Sequence, residues 1–88
     1  MKNRSRHEIL ASIINFAAQD RDGLSFTKLM NLTAMSHTQT REYLGSLVES
    51  GIFRYDNQDR RFRITEKGRR FLLLLEELEQ MLTVQSTL

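Results

Sequence analysis

Cysteine is absent from this chain, which removes disulfide stapling, thiolate catalysis and the usual structural zinc sites from consideration. Histidine is scarce too. His7 and His37 stand far apart in sequence, so no metal and no cofactor is expected, and the setting is read as intracellular. Long hydrophobic runs are also missing: the longest, Phe71 to Leu75, is five residues, against the roughly 20 that a spanning helix needs. It does not lie where an export signal would, so neither membrane association nor secretion is expected. No segment has the composition of a low-complexity or disordered tail apart from the extreme ends. Nor is there a catalytic constellation. Asp20 and Asp22 share a polar loop without a histidine or cysteine beside them, and Gly23 belongs to no phosphate-binding glycine run, so the chain is not expected to be an enzyme.

What is present is the material of one small domain. The chain has 88 residues, 40% hydrophobic and 27% charged, enough for a single core. That core is thin, and apolar burial against a second subunit would support it. Charge of one sign is barely in excess, with 13 bases against 11 acids and a net charge of +2. Its distribution is more informative than its sum. Lys2, Arg4 and Arg6 lie together at the start, and in the stretch from Arg54 to Arg70 the bases Arg54, Arg60, Arg61, Arg63, Lys67, Arg69 and Arg70 stand against only three acids, Asp56, Asp59 and Glu66.

The hydrophobic period divides the chain into elements. Ser5 and Glu8 have the spacing of a reciprocal helix cap, and Ile9, Leu10, Ile13, Ile14 and Ala17 follow at helical intervals, which predicts a first helix from Arg6 to about Ala18. Ser25 or Thr27 can cap a short second helix carrying Phe26, Leu29 and Met30 and fading by about Thr33. Ser36 and Gln39 repeat the cap pattern, and Tyr43, Leu44, Leu47 and Val48 form the expected buried stripe of a third helix, His37 to Ser50, that Gly51 stops. Three helices in this order form a helix-turn-helix pattern. The period then becomes two: Phe53 and Tyr55 flank Arg54, Phe62 and Ile64 alternate with Arg61 and Arg63, and the polar turn from Asp56 to Arg60 joins two strands, with Asn and Asp suited to its positive backbone angles. A hairpin behind a helix-turn-helix is a wing. Thr65 can cap a last helix from Glu66 to about Val84, whose Phe71, Leu75, Leu78 and Leu82 step by four, three and four as in a coiled-coil seam, with Leu72, Leu74 and Met81 widening the stripe. Residues 85–88 are expected to fray. The expected fold is mainly α with a small β-hairpin: a winged helix-turn-helix domain over 1–65 and a dimerisation helix over 66–88, together one structural unit.

The element order, the opening from Met1 to Leu10, the Tyr43-Leu44 pair, the Glu49-Ser50-Gly51 helix end and the Thr65-Glu66-Lys67-Gly68 step resemble the small archaeal winged-helix DNA-binding proteins that dimerise through an antiparallel C-terminal coiled coil. The likeness runs from Asn3 to about Leu82. It implies sequence-tolerant or regulatory binding of double-stranded DNA, with the third helix in the major groove and the wing on the backbone. Thr40 stands where such helices usually place a larger apolar residue against the core, which predicts looser packing there. A net charge this low favours a regulator over an abundant DNA-coating protein.

Candidate DNA contacts follow from which faces the apolar stripes leave outward. On the third helix these are His37, Thr38, Gln39 and Arg41, with Gln39 able to pair adenine and Arg41 able to read guanine or hold a phosphate. Glu42 either reads cytosine or neutralises Arg41. Lys28 sits where the first helix of a helix-turn-helix crosses the backbone. In the wing, Arg54, Arg60, Arg61 and Arg63 suit phosphate or minor-groove contact, unless Asp56 and Asp59 pair with them and the hairpin is only a charged edge. Lys2, Arg4 and Arg6 either reach the DNA backbone or serve as a solubilising terminus. The expected dimer seam comprises Phe71, Leu74, Leu75, Leu78, Met81 and Leu82. The expected partners are duplex DNA and a second copy of the chain, in a nucleoid-associated, cytoplasmic setting. A protein-interaction module with an incidental basic patch and a sequence-nonspecific chromatin protein are the alternatives.

Overall fold

A computed structural model describes the backbone of residues 5–87 and the side chains of residues 5–82. Lys2, Arg4 and Leu88, about which the sequence raises expectations, lie outside the described residues.

Helix α1 (Arg6–Gln19) begins where its cap dictates: Ser5 Oγ accepts from the Glu8 N–H at 3.1 Å and Glu8 Oε1 accepts from the Ser5 N–H at 2.9 Å. It buries Ile13, Ile14 and Ala17. Helix α2 (Phe26–Thr33) is capped by Ser25, whose Oγ accepts from the Lys28 N–H at 3.1 Å, which settles the choice between Ser25 and Thr27. It ends at Ala34 in the left-handed conformation, with φ of 56°. Helix α3 (His37–Glu49) repeats the reciprocal cap with Ser36 and Gln39. It stops one residue short of the expected end, with Ser50 as C-cap and Gly51 at φ +82° taking the left-handed step that follows.

The inward face of α3 differs from the expected stripe. Thr40, Leu44 and Leu47 are buried, whereas Val48 is 37% exposed. At about 100° per residue, Val48 lies at the edge of the arc that those three define and turns toward the hairpin. Thr40 fits the core without a loosened helix. Its side chain is fully buried and its hydroxyl donates to Ser36 O at 2.8 Å, so burial leaves no polar atom unsatisfied.

Strands β1 (Phe53–Asp56) and β2 (Arg61–Ile64) pair antiparallel in the register Phe53 with Ile64, Arg54 with Arg63, Tyr55 with Phe62 and Asp56 with Arg61. The aromatic and aliphatic members therefore share one face and the arginines the other. Asp56 organises the turn, its backbone oxygen accepting from the Arg60 N–H at 2.8 Å and its Oδ1 from the Gln58 N–H at 2.9 Å. The positive backbone angle in this turn falls on Arg60, at φ 58°, and not on an Asn or Asp. The other edge of β2 is also occupied. Leu24 and Phe62 exchange backbone hydrogen bonds of 2.9 and 2.8 Å, tying the α1–α2 loop to the hairpin. Gly23, at φ +85°, makes this possible, because a Cβ there would press on the side chains of Arg61 and Arg63 at 3.1 Å.

Helix α4 (Glu66–Thr87) starts at Thr65 and continues three residues beyond Val84. Thr65 Oγ1 accepts from the Gly68 N–H at 3.0 Å while its hydroxyl faces the carbonyls of Gly51 and Ile52. Lys67 Nζ donates to Ser50 O at 2.6 Å, placing a positive charge at the C-terminal end of α3. The core formed by Ile13, Ile14, Ala17, Leu24, Leu29, Leu44, Leu47, Ile52 and Phe53 receives Leu72 from α4. Leu72 therefore belongs to the domain's own core and not to the outward stripe, and Leu75 is half-buried. The outward stripe is Phe71, Leu74, Leu78, Met81 and Leu82, with Leu74 62% and Met81 61% exposed. Among the described residues, no helix is long and apolar enough to cross a membrane.

Gly68 fixes this arrangement. A Cβ there would run into Ile52 O and Ile64 Cγ1. Gly68→Ala, which in an open helix would stabilise by about 1 kcal/mol, is expected here to destabilise by about 1–3 kcal/mol through overpacking. Urea denaturation of the two proteins measures the sign directly.

Candidate nucleic-acid interface

The outward side of α3 carries Thr38, Arg41, Glu42, Gly45 and Glu49, all exposed. Beside it, between α3 and the hairpin, runs a groove of about 810 Å³. Phe26, Leu44, Val48 and Phe62 contribute its apolar floor, and His37, Arg41, Glu49 and Arg60 lie around it. Tyr55 closes the hairpin side, its ring 4.7 Å from that of Phe62. His37 is steadied by a tilted contact with Phe26 at 4.7 Å between ring centroids. The helix-turn-helix and the hairpin thus bring His37, Arg41 and Arg60, residues from two separate stretches of sequence, to one groove.

Other expected contacts are engaged within the chain. Gln39 Oε1 accepts from the Ser36 N–H at 3.2 Å, and pairing adenine through both donor and acceptor would mean giving up this cap. Lys28 Nζ lies 3.1 Å from Asp20 Oδ2. That hydrogen bond is the main reason the Asp20 carboxyl is held below its ordinary pKa. Arg63 reaches Asp59 Oδ2 at 2.6 Å, Asp56 Oδ2 at 3.3 Å and the backbone oxygen of Asp22 at 3.1 Å. Arg61 donates to Gly23 O at 3.1 Å. These two arginines brace the hairpin against the α1–α2 loop. Arg54, at the β1 side, and Arg60, in the turn, remain exposed. The division of labour among the four wing arginines comes from the fold: Arg61 and Arg63 alternate onto the strand that Leu24 flanks, where loop carbonyls and Asp56 and Asp59 meet them.

Three residues gain importance from the structure. Arg6 lies over the Tyr43 ring at 5.1 Å and joins Arg41, Glu42, Gly45, Ser46 and Glu49 in a second, shallower groove on the far side of α3. Arg6 is the member of the N-terminal basic group whose position relative to α3 the structure describes. Tyr55 and Gly45 carry no motif that would single them out; their position beside α3 is a tertiary outcome.

The chain belongs to the winged helix-turn-helix family, whose model matches residues 3–83. Solved structures of similar fold include the transcriptional regulator BldR of Sulfolobus solfataricus, at TM-score 0.75 and 24% identity over 90% of this chain and 59% of that one. MepR, a transcription regulator of the Staphylococcus aureus multidrug efflux pump MepA, aligns at TM-score 0.67 and 19% identity over 88% of this chain and 63% of that one. MepR bound to ethidium bromide aligns at TM-score 0.65 and 17% identity, covering 94% of this chain and 65% of that one. The chain spans less than two thirds of the length of each of these regulators, and at these identities the likeness is one of fold. No curated protein matches the chain.

The brace has a measurable acid limit. Asp59 titrates below the ordinary 3.8, chiefly because Arg63 donates to its carboxylate. A depressed folded-state pKa contributes stability above the ordinary value, and that contribution is lost as pH falls through the folded one. Carboxyl chemical shifts followed through an acid titration should give an Asp59 midpoint below that of a free aspartate. Arg63→Gln should return the midpoint to the ordinary range.

Proposed function

We propose that this protein is a homodimeric DNA-binding transcriptional regulator that lays α3 in the major groove and sets its wing on the adjacent backbone. The observation that carries this reading is the cluster of His37, Arg41 and Arg60 around one groove on the outward side of α3, with exposed Arg54 on the same hairpin. Arginine forks suit phosphate oxygens and guanine edges, and a helix flanked by a protruding hairpin matches a duplex surface of alternating groove and backbone. Thr38 adds a hydroxyl to the same end of α3, while Lys28, Gln39, Arg61 and Arg63 support the reading indirectly by setting the geometry of helices and wing.

The second copy binds along α4. Phe71, Leu74, Leu78, Met81 and Leu82 form a stripe that the chain's own core does not cover, with Leu75 at its inner edge. Burying such a stripe against its twin is favoured at about 25 cal/mol per Å² of apolar surface. The steps of three and four residues along it are those of paired helices. The pairing is taken as antiparallel, as in the archaeal proteins that the sequence resembles, with residues 66–88 as the dimerisation segment and residues 1–65 as the reading head. Binding to DNA places the dimer at the nucleoid, in the cytoplasm.

Anisotropy of labelled duplex DNA across a salt series tests the reading. Affinity should fall steeply with salt, Arg41→Ala should cost about 1–3 kcal/mol, and Arg60→Gln should reduce the slope of log K against log salt by about 1. Folded protein that leaves every duplex unbound at low salt would assign the face to a protein partner instead. Light scattering tests the seam separately: the wild type should have the mass of a dimer at tens of micromolar, and Leu78→Asp that of a monomer.

A further inference from the structure

Gly45 is anomalous in α3. It sits in the ninth position of a 13-residue helix, where glycine is among the least favourable residues because it loses the most backbone freedom on folding. The usual reasons for tolerating it do not apply. Its backbone is ordinary helix, and a Cβ built there would meet nothing within 4 Å, so no neighbour among the described residues demands the missing side chain. Gly68 and Gly23, by contrast, are each pressed by atoms of their own chain.

Its position supplies a reason. With about 100° between successive residues, Gly45 lies on the outward arc of α3, between Arg41 and Val48 on the wing side and Glu42 and Glu49 on the other. It lines both grooves flanking α3, as Arg41 and Glu49 on either side of it do. The groove toward the wing also holds His37 and Arg60, the one toward α1 also holds Arg6 and Glu42, and Arg41 and Glu49 line both. A duplex offers a matching profile: a major groove about 12 Å wide, only slightly wider than a helix with its side chains, walled by two phosphate strands.

We propose that Gly45 is the point of closest approach between α3 and the base edges of the major groove, and that His37 and Arg60 on one side of it and Glu42 on the other seat the helix against the strand on the wing side. This rests on the DNA-binding reading above and adds to it a residue that sets the depth and tilt of α3. Without a side chain at the crest, the backbone of α3 can reach the groove floor. The phosphates of one strand then lie between α3 and the hairpin, within reach of Arg41 and Arg60. The carboxylate of Glu42 disfavours an equally close approach to the opposite strand.

The test is a substitution whose effects on folding and on binding have opposite signs. Gly45→Ala is expected to raise the melting temperature by several degrees, because the methyl enters open space and alanine is the better helix former. It should weaken binding to a random-sequence duplex pool at least tenfold in an anisotropy titration. Glu42→Gln should tighten binding at low salt several-fold, with an unchanged melting temperature. If wild-type protein binds the pool and Gly45→Ala binds it equally well, the depth assignment is overturned while the DNA reading stands. If the wild type binds no duplex, both fall. Loss of binding together with a lowered melting temperature would also overturn the assignment, since it would show that Gly45 serves the fold.

Discussion

The seat of α4 on the hairpin is the constraint on which the rest of this molecule depends. Thr65 accepts from the Gly68 N–H, its hydroxyl faces the carbonyls of Gly51 and Ile52, and Gly68 lies flush against Ile52 and Ile64. In these few residues the end of α3, the entry to β1, the exit from β2 and the start of α4 are joined. Lys67 completes the joint by donating to the last turn of α3. The direction of α3, the lie of the wing and the direction of α4 are therefore set together.

Much of this architecture was legible because its signals are local. Two serine boxes and the cap at Thr65 mark the starts of α1, α3 and α4 through hydrogen bonds that span three residues, and the change from helical to alternating period places the hairpin within a residue. What escaped was settled by tertiary contacts. Val48 reads as core by its chemistry, yet the arc fixed by Thr40, Leu44 and Leu47 turns it toward the wing. The positive angle in the turn fell to Arg60 because Asp56 closes the loop by accepting from that residue's N–H. On α4 a leucine-rich run offers several possible seams, and it is packing against the core, with Gly68 one turn earlier on the same side, that turns Leu72 inward and leaves Leu74 outward.

The candidate interface was legible in kind and less so in detail. Residue type and helical phase singled out Arg41 and His37 as candidates, and the structure puts them beside one groove with Arg60. Arginines on alternate strand positions look equivalent in sequence, but Arg61 and Arg63 meet the loop carbonyls of Gly23 and Asp22, whereas Arg54 and Arg60 face solvent. Charge counting cannot separate a brace from a contact, because that distinction depends on what another part of the chain places within about 3 Å.

The packing at Gly68 also has a mechanical meaning. Helix α4 has 22 residues, so at 1.5 Å per residue it is a rod of roughly 33 Å anchored at one end. A tilt of about 5° at that anchor displaces the free end by about 3 Å, close to the 3.4 Å rise of one base step along a DNA strand. In the proposed dimer on α4, the absence of a single methyl group at position 68 would thus act as a gauge, holding the distance between the two proposed DNA-binding domains to the tolerance of one step of the duplex.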